Sequence, residues 1–391
     1  MKLAEKNLCT GCGACAAICP KHCIHMEQDA AGFPHPAAKN KECVSCNLCE
    51  SVCPVMNVLQ QHGDSPVAYA AYSRDEAMRA ESSSGGIFSE LARPVLAKGG
   101  AVFGSAYNEQ FDVVHICAED ETTLASLRGA KYAQSDLGNT FSQVKHRLET
   151  GQDVLFSGTS CQVAGLQSFL GKPYDNLLCI DFVCHGVPSP MAWKQYVQYC
   201  AEKDNGGIPP LSINLRAKET GWSRYQYSNV FEYASGKRKV TLSNDSLFMK
   251  LFVGNCISRL CCEQCRFRGY SRFSDLTLGD FWGIWDIHPS MDDNKGTSVV
   301  LVQSKKGMDH FDQIGARCVV RQVSLEQASA QNQSMLRSSL NHAKRQDALS
   351  AIRQGNFEKC EALLVPAQRS RSKKLLRKLK SFLAQQRLNP E

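Results

Sequence analysis

The chain has 391 residues, 43% hydrophobic and 21% charged, which excludes a disordered or fibrous protein and leaves room for two or three domains. Its formal excess of +7 lies wholly in Pro366–Glu391, with eight Lys/Arg and one acid, so the rest is neutral and a general nucleic-acid binder is excluded. Twenty cysteines occur with no apolar run of membrane-spanning length, and the first residues, lacking an apolar stretch, give no expectation of a secretory leader. The expectation is a soluble or peripheral, cytoplasmic chain whose thiolates hold metal rather than disulfides.

Residues 1–57 contain an internal repeat. Each half reads Cys-x-x-Cys-x-x-Cys-x-x-x-Cys-Pro, at Cys9 to Pro20 and at Cys43 to Pro54. Two-residue gaps let three sulfurs wrap one iron–sulfur cube, and the fourth cysteine, before proline, serves the other cube in two-cluster ferredoxins. The expected sets are Cys9, Cys12, Cys15 and Cys53, and Cys19, Cys43, Cys46 and Cys49. Gly11 and Gly13 let backbone amides approach the sulfurs. Zinc takes pairs of Cys-x-x-Cys rather than triplets followed by Cys-Pro, so the module reads as a bacterial-type 2[4Fe–4S] ferredoxin. Cys23 lies outside both patterns and reads as a spectator.

A polar linker is expected at 58–66. Across 67–322, apolar strand-like runs at 67–72, 101–105, 154–157, 177–183 and 299–303 alternate with helix-like stretches at 87–97, 137–149 and 191–202. Residues 323–365 read as a helical extension. In the tail, 366–391, Leu375, Leu379, Phe382 and Leu383 follow helical spacing with lysines and arginines on the other faces. It reads either as a helix on an anionic membrane surface or as a solvated helix on the domain or an acidic partner.

Several motifs stand in fixed order after the linker: Ser82-Ser83-Ser84-Gly85-Gly86, Gly129-Ala130-Lys131-Tyr132, Gly158-Thr159-Ser160-Cys161-Gln162, Cys184-His185-Gly186-Val187-Pro188-Ser189, Cys262-x-x-Cys265 and Leu278-Gly279-Asp280-Phe281-Trp282-Gly283. The ordered set resembles the coenzyme F420 hydrogenase/dehydrogenase beta-subunit family, in which a two-cluster module commonly precedes the main domain. One departure is Ser160, where most relatives would show proline. The resemblance implies an FAD-binding domain with one further [4Fe–4S] cluster, and electron exchange among clusters, flavin and a two-electron organic partner such as coenzyme F420. The fold class expected is α+β and α/β: the ferredoxin module, a larger α/β flavin-binding domain and a helical C-terminal tail.

The residues carry parallel readings of their own. Cys161 follows a strand and a Gly-Thr-Ser turn at a helix start, Cys184 ends a strand-like run, and both fall where α/β sheets place their sites. With Cys262 and Cys265 they are the expected third set; Cys256 and Cys261 are rivals, and buried core thiols are the bland alternative for Cys161 and Cys184. Cys117, Cys179, Cys200, Cys318 and Cys360 look structural. No Gly-x-Gly-x-x-Gly fingerprint follows a strand. Ser83, Ser84, Gly85 and Gly86, before helix 87–97, would meet a pyrophosphate or merely cap the helix. Lys131 and Tyr132 would meet phosphate and ring, or be an exposed lysine and a half-buried tyrosine; Gly158, Thr159 and Gln162 complete the cofactor-binding set. Asp280 and Trp282 would line the flavin or fill a core corner, and His185 would donate a proton or brace a turn. No catalytic residue is assigned. The expected partners are an electron-carrying protein such as ferredoxin and a small-molecule hydride donor or acceptor. The alternatives are a non-catalytic electron-carrier subunit and a reductase of a metabolite in a surface-polysaccharide pathway, with which bacterial members of the family are often associated.

Overall fold

The computed structural model describes residues 1–39, 42–57, 65–223 and 226–364. Most of the expected linker and the whole basic tail at 366–391 lie outside the described residues. Among the described residues no helix is long and apolar enough to cross a membrane.

In the N-terminal module, β1 (Ile24–Gln28) and β2 (Pro34–Ala38) pair antiparallel. Short helices Ala14–Ala17 and Leu48–Ser51 start at equivalent points of the two repeats, each behind a left-handed residue, Gly13 with φ 74° and Asn47 with φ 60°. The chain must reverse there so that the next cysteine faces the same centre, and glycine and asparagine tolerate that backbone best.

The main domain opens with β3 (Val67–Ser73), β4 (Ala101–Tyr107), β5 (Val113–Ala118), β6 (Val154–Ser157) and β7 (Leu177–Phe182). A separate antiparallel sheet follows, of β8 (Ser212–Ala217), β9 (Ser228–Glu232) and β10 (Arg238–Leu242). The chain then returns through β11 (Leu276–Asp280), β12 (Ser298–Val302) and β13 (Cys318–Val323) to complete an eight-stranded sheet in the order β13-β3-β12-β11-β7-β6-β4-β5. The neighbours β4, β6, β7 and β11 are parallel, and β5, β12, β3 and β13 flank them antiparallel. The parallel strands are apolar on both faces because both faces are covered. Phe103, Val154 and Phe156 meet helices Thr140–Glu149 and Ser160–Leu170 on one side. Val102, Leu155, Leu178 and Ile180 meet helices Ile87–Ala97 and Lys305–Gln313 on the other.

The strands and helices expected from periodicity across 67–322 are present, with ends shifted by at most three residues. The expected Ile87–Ala97 and Val154–Ser157 match at both ends. Helices Arg345–Arg353 and Phe357–Leu364 pack on helix Pro190–Asn205 through Leu349, Ile352 and Phe357, whose ring lies 4.5 Å from that of Tyr199.

The N-terminal module is set into the main domain. Ala14, Val52 and Val55 share a core with Phe141, Val163, Leu166 and Phe273. Helix Ser160–Leu170 comes closest at Gly165, where an added Cβ would stand 2.8 Å from the Cβ and 2.9 Å from the Sγ of Cys12. Gly165→Ala therefore overpacks the joint at a cost of about 1–3 kcal/mol. We expect a lower urea midpoint and faster proteolytic release of the N-terminal module. Gly315→Ala, which meets nothing within 4 Å and has no left-handed φ, should leave both unchanged.

Candidate functional site

The first N-terminal sulfur set gathers as its spacing requires. Burial chiefly, with Cys9 and Cys53 close by, pushes the Cys12 thiol up to about 11. Burial together with Cys12, Cys9 and Cys53 drives Cys15 higher still. The Gly11 amide donates to Cys9 Sγ at 3.4 Å, as its glycine suggested.

In the second set, burial first, then Glu50 and Cys19, raise Cys49. Cys43 belongs to the same neighbourhood through Cys23, and Cys46 is exposed on the loop between Cys43 and Asn47. Cys23 is not remote: its sulfur lies 3.4 Å from that of Cys19. Against the upward push of burial, hydrogen bonds from the Cys23 thiol and from the amides of Cys23, Lys21 and Ile24 lower Cys19.

A third gathering joins Cys161, Cys184, Cys262 and Cys265. Burial first, then Cys265, Cys184 and Cys262, raise Cys161 well above its ordinary value. Burial and the same neighbours push Cys184 up to about 12. Local structure explains why residues so far apart in sequence meet. Thr159 and Gln162 form a reciprocal cap on helix Ser160–Leu170, with the Thr159 amide donating to Gln162 Oε1 at 2.9 Å, which fixes Cys161 in the first turn. The segment after Cys184 is strapped to the one before Cys262. Ser189 N donates to Ile257 O at 2.9 Å, Arg259 N to Val187 O at 2.9 Å, and Pro188 bridges Ser258. Ser338 Oγ takes the Cys265 amide at 3.1 Å. Ser160 has its own task, accepting from Arg272 Nη1 at 2.6 Å.

Of the rivals, Cys261 stays beside the set and hydrogen-bonds Cys262, whose thiol is thereby lowered to about 7. Cys256 faces Lys344 and Cys360 instead. Among the described residues no three His, Cys, Asp or Glu side chains close tightly enough to hold a single metal ion. Four buried thiols in mutual reach can ionise together only with positive charge among them, so the donor sets fit a multinuclear metal core.

Cys161 and Cys184 stand in the wall of a cavity of about 860 Å³ that opens where β6, β7 and β11 end. That volume lies in the upper part of the roughly 300–1,000 Å³ range of small-molecule sites, and the carboxyl ends of parallel strands are where α/β sheets bind ligands. Ser83, Ser84, Gly86, Lys131, Tyr132, Gly158, Thr159 and Gln162 all line it, as do His185, Asp280 and Trp282. Gly85 needs correction. It turns into the sheet, with its N–H on Ser298 Oγ at 2.9 Å and its carbonyl taking Ser73 N–H at 2.7 Å, and an added Cβ would strike Ala71 O at 2.5 Å. The capping alternative for the serines fails as well, because Gly86 is the cap residue of helix Ile87–Ala97 and makes no side-chain cap.

Sequence reasoning missed Arg216. β8 and β9 keep register at Asn214–Val230 and Ala217–Ser228, so Leu215 and Arg216 face one residue, Asn229. Such a bulge re-aims a side chain. Asn229 Nδ2 on Leu215 O at 2.8 Å and Asn214 Oδ1 under Arg216 N at 2.9 Å pin it. The buried guanidinium pairs with Asp280 at 2.9 Å and lies 4.0 Å over Tyr227. Its Nε has no partner, nor do His115 Nδ1, Asp181 Oδ1 and Ser243 Oγ, all on residues of the cavity wall. Such atoms give a polar ligand places to hydrogen-bond.

The family described as the C terminus of the coenzyme F420 hydrogenase/dehydrogenase beta subunit matches residues 151–327, and a 4Fe–4S dicluster domain matches residues 8–57. No curated protein matches the chain. Among solved structures, a chain of the xenon-derivatised F420-reducing [NiFe] hydrogenase complex from Methanosarcina barkeri is similar, with 15% identity and a TM-score of 0.46 over 78% of this chain and 92% of that one.

Burial lowers Lys131 from 10.5 to about 7, while Nζ donates to Ser126 O at 2.8 Å and Arg128 O at 2.6 Å. Between those two values the unfolded chain holds the extra proton, so this group makes folding more favourable as pH rises from about 7 to about 10. We expect the difference in urea midpoint between Lys131→Met and the parent to shift in the parent's favour across that window. A constant difference would count against a buried, half-deprotonated amine.

Proposed function

We propose that this chain, whose residues 151–327 match the coenzyme F420 hydrogenase/dehydrogenase beta-subunit family and whose residues 8–57 match a two-cluster domain, is an iron–sulfur flavoprotein oxidoreductase of that family. It would pass electrons between [4Fe–4S] clusters, FAD and a two-electron organic partner, coenzyme F420 or another hydride donor or acceptor. FAD, when bound, supplies two-electron exchange with an organic molecule and one-electron exchange with metal clusters.

The observation that carries this reading is the position of helix Ser160–Leu170. Its first turn holds Cys161 in the cavity wall, and one turn later Gly165 touches Cys12 of the N-terminal module. Four residues of helix span only about 6 Å, so one element links the outer sulfur set to the inner one and to the cavity.

Cys161, Cys184, Cys262 and Cys265 would hold the third cluster. Ser83, Ser84, Gly86, Lys131, Tyr132, Gly158, Thr159 and Gln162 would hold the flavin. Arg216 is tethered by Asp280 and keeps a free N–H for a ligand oxygen. A carrier subunit would need no cavity of this size, which favours catalysis over the relay alternative.

Protein purified without oxygen should hold roughly twelve irons, as three four-iron clusters require, together with flavin. Cys161→Ala combined with Cys184→Ala should fall to about eight irons, and Cys117→Ser should keep the full number. Eight irons in the unaltered chain would end the three-cluster reading. Full iron without flavin would end the flavin reading.

A further inference from the structure

Arg259 is one of the most deeply buried charged side chains, 2% exposed, and every partner it has is neutral. Nε donates to Cys9 O at 2.8 Å, Nη1 to Gln134 Oε1 at 2.8 Å and Nη2 to Pro34 O at 2.8 Å. The guanidinium lies 5.3 Å from the centre of the Phe33 ring. Among the described residues no carboxylate forms an ion pair with it. The nearest arrangement is indirect: His35 stands between, with Nε2 3.3 Å from Asp29 Oδ2, and burial first and then Arg259 itself hold His35 below its ordinary value.

The seat is built for this group. Gly11, with φ +69°, has no room for a Cβ, which would stand 2.7 Å from Pro34 O, 2.8 Å from Gln134 Nε2 and 2.9 Å from Arg259 Nη1. Gln134 locks the seat from the main domain, accepting from Arg259 and donating to Thr10 O at 3.0 Å.

Burying a cation without an opposite charge is strongly unfavourable, and a folded protein tolerates it only where negative charge is near. Asp29 reaches the guanidinium only through His35, whose Nδ1 lies 3.3 Å from Arg259 Nη2, so the further negative charge on offer here is that of sulfur once it is ionised around metal. On one side is the set opened by Cys9. On the other is the short 3₁₀ helix Leu260–Gln264, for which Arg259 is the cap residue, and Cys262 N donates to Arg259 O at 3.2 Å.

We propose that Arg259 is the counter-charge shared by two iron–sulfur sites: its guanidinium serves the Cys9–Cys12–Cys15–Cys53 cluster directly and, from the residue that caps the turn carrying Cys262 and Cys265, acts at longer range on the third. The guanidinium raises the reduction potential at the crossing from N-terminal module to main domain, because each added electron makes a cluster more negative and a fixed positive charge favours that state. This rests on the three-cluster reading for its second half only.

The test is a redox titration of the full chain, purified without oxygen and followed by electron paramagnetic resonance and visible absorbance, with iron counted in each sample. Arg259→Met keeps bulk and removes charge. It should lower two of three potentials by a tenfold change in reduction constant or more, about 59 mV for one electron. The potential of the Cys19–Cys43–Cys46–Cys49 cluster should stay put. Arg259→Lys should lie closer to the parent. Gln134→Glu keeps a carbonyl oxygen for Nη1 but cancels the charge in place, and should lower the same two potentials, so the proposal remains decidable if Arg259→Met loses its iron. Full iron with unmoved potentials in either charge-cancelling variant overturns it. If the parent holds only two clusters, a single wave should move, which separates failure of the third cluster from failure of the counter-charge.

Discussion

Thiols crowded into a dry space raise one another's pKa, and that repulsion governs this structure. Cys12, Cys15, Cys161 and Cys184 are each pushed up by burial and by the sulfurs beside them. Such groups gather in the first N-terminal set and again around Cys161 and Cys184, an arrangement that a multinuclear cation core would make favourable. Folding of the cysteine loops and loading of metal would then be one process, and the loops carry little regular structure of their own: the helices that follow Cys12 and Cys46 are four residues each.

That constraint explains how the module meets the main domain. Three of the contacts between them end on the backbone or side chain of a cysteine loop. Gly165 abuts Cys12, Arg259 grips Cys9 O, and Arg266 Nη1 donates to Val55 O at 2.9 Å just beyond Cys53. All three come from segments that also position Cys161, Cys262 or Cys265. A displacement of the inner sulfur set thus pulls on the outer one, and the two are registered by shared elements rather than by a flexible hinge.

What could be read from the sequence was whatever repeats or alternates locally. Fixed cysteine spacings gave both N-terminal sets. Apolar runs gave three of the four parallel strands, β4, β6 and β7, and with them most of the edge at which the cavity opens. The strands that escaped had no such pattern. β10 is exposed at nearly every position, and β13 carries Arg321 and Gln322 on an antiparallel edge, so neither shows a period-two signal. Gly85 was misread because serines before a helix look alike whether they face a ligand or a strand; only Ser298, 213 residues on, decides it. Arg259 reaches a partner 250 residues away and leaves no local trace. Cys23 looked idle since spacing is blind to a fifth sulfur that folds back on the fourth.

The small sheet of β8, β9 and β10 shows how the cavity acquires its polarity. The parallel strands supply mostly backbone and small side chains at their ends: Ser157, Gly158, Gly279. Asp181 and Asp280 come from β7 and β11, but positive charge has to be brought in from elsewhere. Arg216 comes from the bulge in β8, and Lys218 follows two residues later, donating to Ser84 O at 2.7 Å with burial lowering it to about 7. Trp222, from the next turn, stacks on Trp282 at 4.8 Å and gives its indole N–H to Ser83 O at 3.0 Å. One inserted segment therefore shapes the serine loop, positions the free guanidinium N–H and stacks on an aromatic residue of the wall. The sheet provides the platform and sulfur; this insertion provides what distinguishes one ligand from another, so differences in ligand choice between chains of this architecture should trace to residues 212–242 sooner than to the strands beneath them.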